Sequence, residues 1–136
     1  MIFADTGYFI ALFTPDDRLH DRAVAWSLHL SEPLVVTEHV LWECVNTFSR
    51  PKDRASAHAL IEQLKSDPTC EWIHASPELF AAGLQLHRER PDKEWSLTDC
   101  ISFHVMRERG IARALAYDVH FEQAGFGALL RSNPPA

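Results

Sequence analysis

The sequence predicts an α/β protein with a parallel sheet covered by helices on both faces. Short apolar runs (MIFA, LVVT, CEWIH and ALAY) alternate with longer amphipathic segments, the pattern of strands joined by helical crossovers. The helical segments carry their own start and stop signals, such as Ser96 and Asp99 before one of them and Gly110 after it. At 136 residues, 46% hydrophobic and 24% charged, the chain is expected to form a single domain over 1–136 with a real core.

Met1–Asp5 reads as a short buried strand that stops at a carboxylate, followed by a helical segment over Thr6–Phe13. A second helix is predicted from about Asp17 to Leu30, with Leu19, Ala23, Trp26 and Leu30 at helical spacing. Leu34–Thr37 is a β-branched strand. His39–Arg50 then reads as a helix with Leu41, Cys44, Val45 and Phe48 on one stripe, stopped by Pro51. Ala55–Lys65 and Pro77–Arg90 are further amphipathic helices, with Cys70–His74 a strand between them. Ser96-Leu97-Thr98-Asp99 fits a capping box, and its helix should run to Arg109 with Gly110 just beyond. Ala114–Tyr117 is a small-residue strand ending at Asp118. A turn through HFEQAG should lead to a last strand near Gly127–Leu130.

Composition narrows the function classes. No stretch approaches the roughly 20 apolar residues of a membrane span, and no basic segment precedes the first apolar run, which argues against a secretory signal. Cys44, Cys70 and Cys100 are odd in number and lack metal-ligand spacing, so the expectation is three buried free thiols in a reducing cytoplasm. A net charge of −6 argues against broad electrostatic binding to nucleic acid. It does not argue against a nuclease whose acids hold cations.

The acids therefore decide the reading. Asp5 and Asp118 both follow predicted strands, where parallel sheets gather their sites. Asp5 can cap the next helix or hold a ligand, and Asp118 can open a turn. Asp99 suits the capping box, and a helix start favours an anion without any metal. Glu43 lies off the apolar stripe of its helix and by pattern alone reads as solvated surface. Together, Asp5, Asp99 and Asp118 at element ends can converge on one rim, and hard oxygen ligands suit Mg²⁺ or Mn²⁺.

FADTGYFIALF, TEHVLWECVNTF, SLTDCISFHVMRERGI and ALAYDVHFEQAGF resemble, in order and spacing, the PIN domain family. Within it they are most similar to the VapC-type toxins of toxin–antitoxin pairs. The resemblance implies a three-layer α/β/α fold with a central parallel sheet of about five strands. It also implies an endoribonuclease, dependent on Mg²⁺ or Mn²⁺, that hydrolyses RNA phosphodiester bonds. Asp5, Glu43, Asp99 and Asp118 match the four acids of the family, and the match reverses the surface reading of Glu43. Thr6, Ser96 and Thr98 match the polar residues that support them. Two departures stand out: His120 lies where some members carry a further acid, and Ala116 where threonine or serine is frequent. The implied partners are RNA, a cognate antitoxin that inserts a segment into the active-site groove, and a second copy in a homodimer, with no membrane.

Positive charge for gripping RNA phosphates is available in Arg50, Lys52 and Arg54, after the Glu43 helix, with Arg18 and Arg22 as weaker candidates. Tyr8, Trp42 and Trp95 can stack on bases, although burial is the simpler expectation for each. His120 can assist a proton transfer or simply occupy a turn. Three other readings compete. A haloacid-dehalogenase-like phosphatase needs a second aspartate two residues after Asp5, where Gly7 stands. A receiver domain needs paired acids after the first strand, which are missing. A catalytically silent RNA-binding or scaffold domain would keep the fold without the chemistry.

Overall fold

The computed structural model describes residues 1–136. Five strands, β1 (Ile2–Ala4), β2 (Leu34–Thr37), β3 (Cys70–Ile73), β4 (Arg113–Leu115) and β5 (Gly127–Ala128), form one sheet in the order β3-β2-β1-β4-β5. Every neighbouring pair is parallel, as the alternation of strands and helices requires. β1 and β2 are joined through α1 (Thr6–Phe13) and α2 (His20–His29), and β2 and β3 through α3 (Glu38–Thr47) and α4 (Arg54–Ser66). The chain then crosses back through α5 (Pro77–Glu89) and α6 (Leu97–Arg109) to β4, and α7 (Val119–Gln123) leads to β5. Right-handed crossovers that run first one way and then the other place α1–α4 and α5–α7 on opposite faces of the sheet. The strand order reverses between β1 and β4, so a crevice opens beyond their carboxyl ends.

The sheet is anchored by aromatic residues brought from far apart in the chain. Phe3 of β1 meets Phe121 of α7 at 6.4 Å between ring centroids, and Phe121 meets Phe103 of α6 edge-on at 5.0 Å. Trp95 covers Phe103 at 5.0 Å and donates its indole N–H to Gln123. α5 lies so close to α6 that a Cβ on Gly83 would collide with Cγ1 of the buried Ile101. No helix is long and apolar enough to cross a membrane.

Several boundaries move from their predicted places. α2 begins at His20 because Asp17 turns the chain first, its Oδ1 accepting from the Leu19 amide. α3 begins one residue early, capped by Thr37 Oγ1 at 3.1 Å from the Val40 amide, and ends at Thr47, ahead of Pro51. The HFEQAG turn is the short helix α7, and the last strand stops at Ala128, where a 3-10 turn (Leu129–Arg131) takes over. Two burial expectations fail. Cys70 is only half-buried on the edge strand β3. Trp42 is 58% exposed on α3, whereas Tyr8 and Trp95 are buried as expected. The three thiols are free.

Candidate active site

Asp5, Glu43, Asp99 and Asp118 line one open cleft of about 760 Å³ beyond the carboxyl ends of β1 and β4. Each arrives there by a different local device. Asp5 follows β1, and its amide donates to the Leu115 carbonyl of β4 at 3.2 Å, which fixes it at the seam between the two strands. It occupies the N-cap position of α1, yet its side chain accepts no capping hydrogen bond. The Thr6 amide beside it still favours the charged form of the carboxyl. The group is half-buried at the cleft floor.

Glu43 sits on the side of α3 that faces this floor, and Thr6 donates its hydroxyl to Glu43 Oε1 at 2.6 Å. Asp99 completes a capping box at the start of α6: its amide donates to Ser96 Oγ at 3.0 Å, and its Oδ2 accepts from the Ser96 amide at 3.1 Å. The same Oδ2 accepts from His120 Nδ1 at 2.9 Å. Asp118 caps α7 through the His120 amide at 3.0 Å, and its Oδ1 lies 3.3 Å from His120 Nδ1. His120 thus spans the two aspartates. Thr98 is half-buried on the first turn of α6 and does not line the cleft, whereas Thr6 and Ser96 do.

The electrostatics follow from this crowding. Burial pushes the Asp5 carboxyl up from 3.8 to about 7; a hydrogen bond from the Thr6 backbone opposes the rise, and the nearby charges of Asp99, Glu43 and Asp118 add to it. The same floor pushes the Cys44 thiol up to about 12, again chiefly by burial, so Cys44 is no nucleophile. A desolvated carboxylate ringed by three more fits a hard divalent cation, which would repay the repulsion. No three of these groups close on one point as a ready ligand set. Thr6 hydrogen-bonds Glu43 and His120 hydrogen-bonds Asp99, so two of the four carboxylates are already engaged by protein groups.

The cleft's only arginines are Arg18 and Arg131. The guanidinium carbons lie 4.7 and 4.6 Å from the centroid of the Tyr117 ring. The Arg18 hydrogen bond holds the Tyr117 hydroxyl below its usual range. Arg50, Lys52 and Arg54 are exposed at the α3–α4 junction, outside the cleft lining, and Arg50 pairs with Asp53 at 3.2 Å. Sequence reasoning missed Arg131 and Tyr117. One follows an apolar run and the other lies between β4 and α7, and only the fold joins them. A second cavity, of about 510 Å³, lies among Phe9, Leu12, Leu30 and Leu64 and contains none of the four acids.

Comparison with known proteins agrees with this architecture. The chain matches the PIN domain family over residues 2–127. It is 38% identical over 130 residues, 93% of this chain and 95% of the relative, to the 23S rRNA-specific endonuclease VapC20 of Mycobacterium tuberculosis, in each of two strains. The crystal structure of that organism's VapC20, titled a sarcin-ricin loop cleaving toxin, superimposes with a TM-score of 0.85 and 27% identity, covering 93% of this chain and 96% of that one. FitAcB of Neisseria gonorrhoeae shares the fold at a TM-score of 0.68 and 18% identity, covering 94% of this chain and 96% of that one. VapBC2 of Rickettsia felis, solved with a promoter DNA fragment, does so at 0.66 and 16%, covering 94% and 97%. The five-stranded parallel sheet, the four-acid cleft at its switch point and these relatives lead to one conclusion: the chain belongs to the PIN domain family, and within it to the VapC type.

Proposed function

We propose that this chain is an endoribonuclease dependent on Mg²⁺ or Mn²⁺, the toxin of a VapBC-type pair, acting as one nuclease domain in the cytoplasm. The observation that carries the reading is Asp5: a desolvated carboxylate with no capping duty, facing three others in an open cleft. By analogy with the 38% identical relative named a 23S rRNA-specific endonuclease, the substrate is a structured ribosomal RNA. The partner is a small antitoxin that inserts a segment into the acid cleft. A homodimer is expected from the family resemblance alone.

When bound, the divalent cation supplies Lewis acidity toward a water and the scissile phosphate. Asp5, Asp99 and Asp118 hold it. Glu43 would complete the ligand shell or orient the attacking water, and the Thr6 hydroxyl holds Glu43 Oε1 at 2.6 Å. His120 sets the distance between Asp99 and Asp118. Gly7 also lines the cleft and offers no second carboxylate, which removes the phosphatase reading.

The test is cleavage of 23S rRNA and of a sarcin-ricin-loop oligonucleotide in Mg²⁺ or Mn²⁺. Wild type, Asp5→Asn and wild type in EDTA are compared. Cleavage by the wild type with metal alone is expected. Equal cleavage by Asp5→Asn would show that the site is misplaced.

A further inference from the structure

The cleft that holds the four acids also carries a feature that the cleavage chemistry leaves unused. Arg18, from the α1–α2 connection, and Arg131, from the 3-10 turn, both lie over the ring of Tyr117, the residue before Asp118. Arg18 donates from Nη1 to the Tyr117 hydroxyl at 3.1 Å. Arg131 donates from Nη1 to the Tyr117 carbonyl at 2.8 Å, and its Nε lies 3.3 Å from Glu122 Oε1. The segment carrying Arg131 is itself tied down. Arg22 donates to the Leu130 carbonyl at 2.9 Å, and the Trp26 indole donates to the Ser132 carbonyl at 2.8 Å.

Both arginines are exposed, so burial does not explain the arrangement. Arg18 pairs with no carboxylate, although Asp5, Asp17, Glu43, Glu94, Asp99 and Asp118 line the same cleft. Its planar fork keeps N–H donors free, the geometry that grips phosphate oxygens in pairs. The formal charge of the chain is −6, and a polyanion entering this cleft meets six acids and two permanent cations. A bound divalent ion offsets the acids at the floor. It leaves the neighbouring phosphates without a direct hydrogen-bond donor, which the two arginines can supply.

We infer that Arg18 and Arg131, held over Tyr117, form a backbone-binding subsite for the RNA phosphate next to the scissile one. The inference rests on the ribonuclease reading and assigns that reading its substrate-gripping wall. Because the two guanidiniums are held before RNA arrives, little ordering cost falls on binding. The subsite contacts the backbone and not the bases, so it positions the strand without selecting its sequence.

The experiment measures anisotropy of a labelled single-stranded RNA with Ca²⁺ present, across a salt series. The proteins are wild type, Arg18→Gln, Arg131→Gln, the double variant and Arg88→Gln. Cleavage of 23S rRNA by the wild type is run in parallel. Each cleft variant should weaken binding by roughly tenfold, in line with the loss of a charge-assisted contact. The double variant should lower the slope of log affinity against log salt by about 1.4, two contacts at about 0.7 each. Arg88→Gln removes the same charge from exposed α5, outside the cleft, and should change neither quantity. Arg18 makes only the hydroxyl bond and the ring contact, so Arg18→Gln keeps the test valid if Arg131→Gln disturbs the 3-10 turn. A wild type that cleaves RNA but binds it no better than the double variant, with the same slope, overturns the subsite and leaves the nuclease standing. A wild type that neither binds nor cleaves RNA overturns both.

Discussion

At the scale of single residues, Asp5 couples the proposed chemistry to stability. Its folded pKa of about 7 lies above the unfolded value of 3.8, so between those values the folded chain holds a proton that the unfolded chain has released. The contribution of Asp5 to stability is therefore complete below about pH 4, declines as pH rises and is lost above about pH 7. Metal-free wild type should lose on the order of 2–4 kcal/mol across that window relative to Asp5→Asn. Melts in EDTA at roughly pH 5 and pH 8 check this, and parallel profiles for the two proteins would contradict it. Mg²⁺ or Mn²⁺ should raise the wild-type melting temperature near neutrality, because the cation binds only the assembled cluster. Asp5→Asn should blunt that rise. Thr6→Val keeps the size of the side chain and releases Glu43, so about tenfold lower turnover with an unchanged melting temperature is expected. Steady-state kinetics beside a melt separate the two effects.

What the sequence revealed at this scale depended on where a residue lies along its element. Asp5 directly follows β1 and Asp118 lies three residues beyond β4, and the carboxyl ends of strands in a parallel sheet are where sites form, so their position alone was informative. Asp99 was legible as a cap and is one, with the cleft as a second duty. Glu43 was not legible from pattern. A carboxylate on a half-exposed helix face looks the same whether it faces bulk water or a cleft, and only the family resemblance placed it. Arg18 and Arg131 stand on irregular segments, where no periodicity carries information about neighbours.

At the scale of elements, the packing of α5 on α6 holds the start of α6, and with it Asp99, in place. Gly83 admits this approach, since a methyl there collides with Ile101, and Leu97 lies 3.2 Å from the same position. Gly83→Ala gains up to about 1 kcal/mol of helix propensity, but overpacking against a buried isoleucine costs about 1–3 kcal/mol. The collision wins, and chemical denaturation should show a net loss of roughly 1 kcal/mol. Elements with strong punctuation were read well: Pro77 and Ser76 open α5, and Ser96 and Gly110 bound α6. The five residues of α7 were read as a turn because so short a helix lacks room for a periodic stripe.

At the scale of the whole molecule, Phe121 is the joint between the two halves of the chain. It touches Phe3 of the first strand and Phe103 of the crossover helix and is fully buried. Phe121→Ala should cost about 3–5 kcal/mol, a large share of the total for a domain of this size. A fall in the denaturation midpoint with an unchanged slope checks it. The parallel order β3-β2-β1-β4-β5 also makes the fold's decisive contacts non-local, since β4 at residues 113–115 pairs with β1 at residues 2–4.

That pairing sets a schedule for synthesis. A growing chain that has not reached Asp118 holds three of the four acids, and until β4 slots in beside β1 even those lack a common floor. Arg131 is added later still. The cleft is therefore completed only once β4, Asp118 and Arg131 have all been made and β4 has paired with β1.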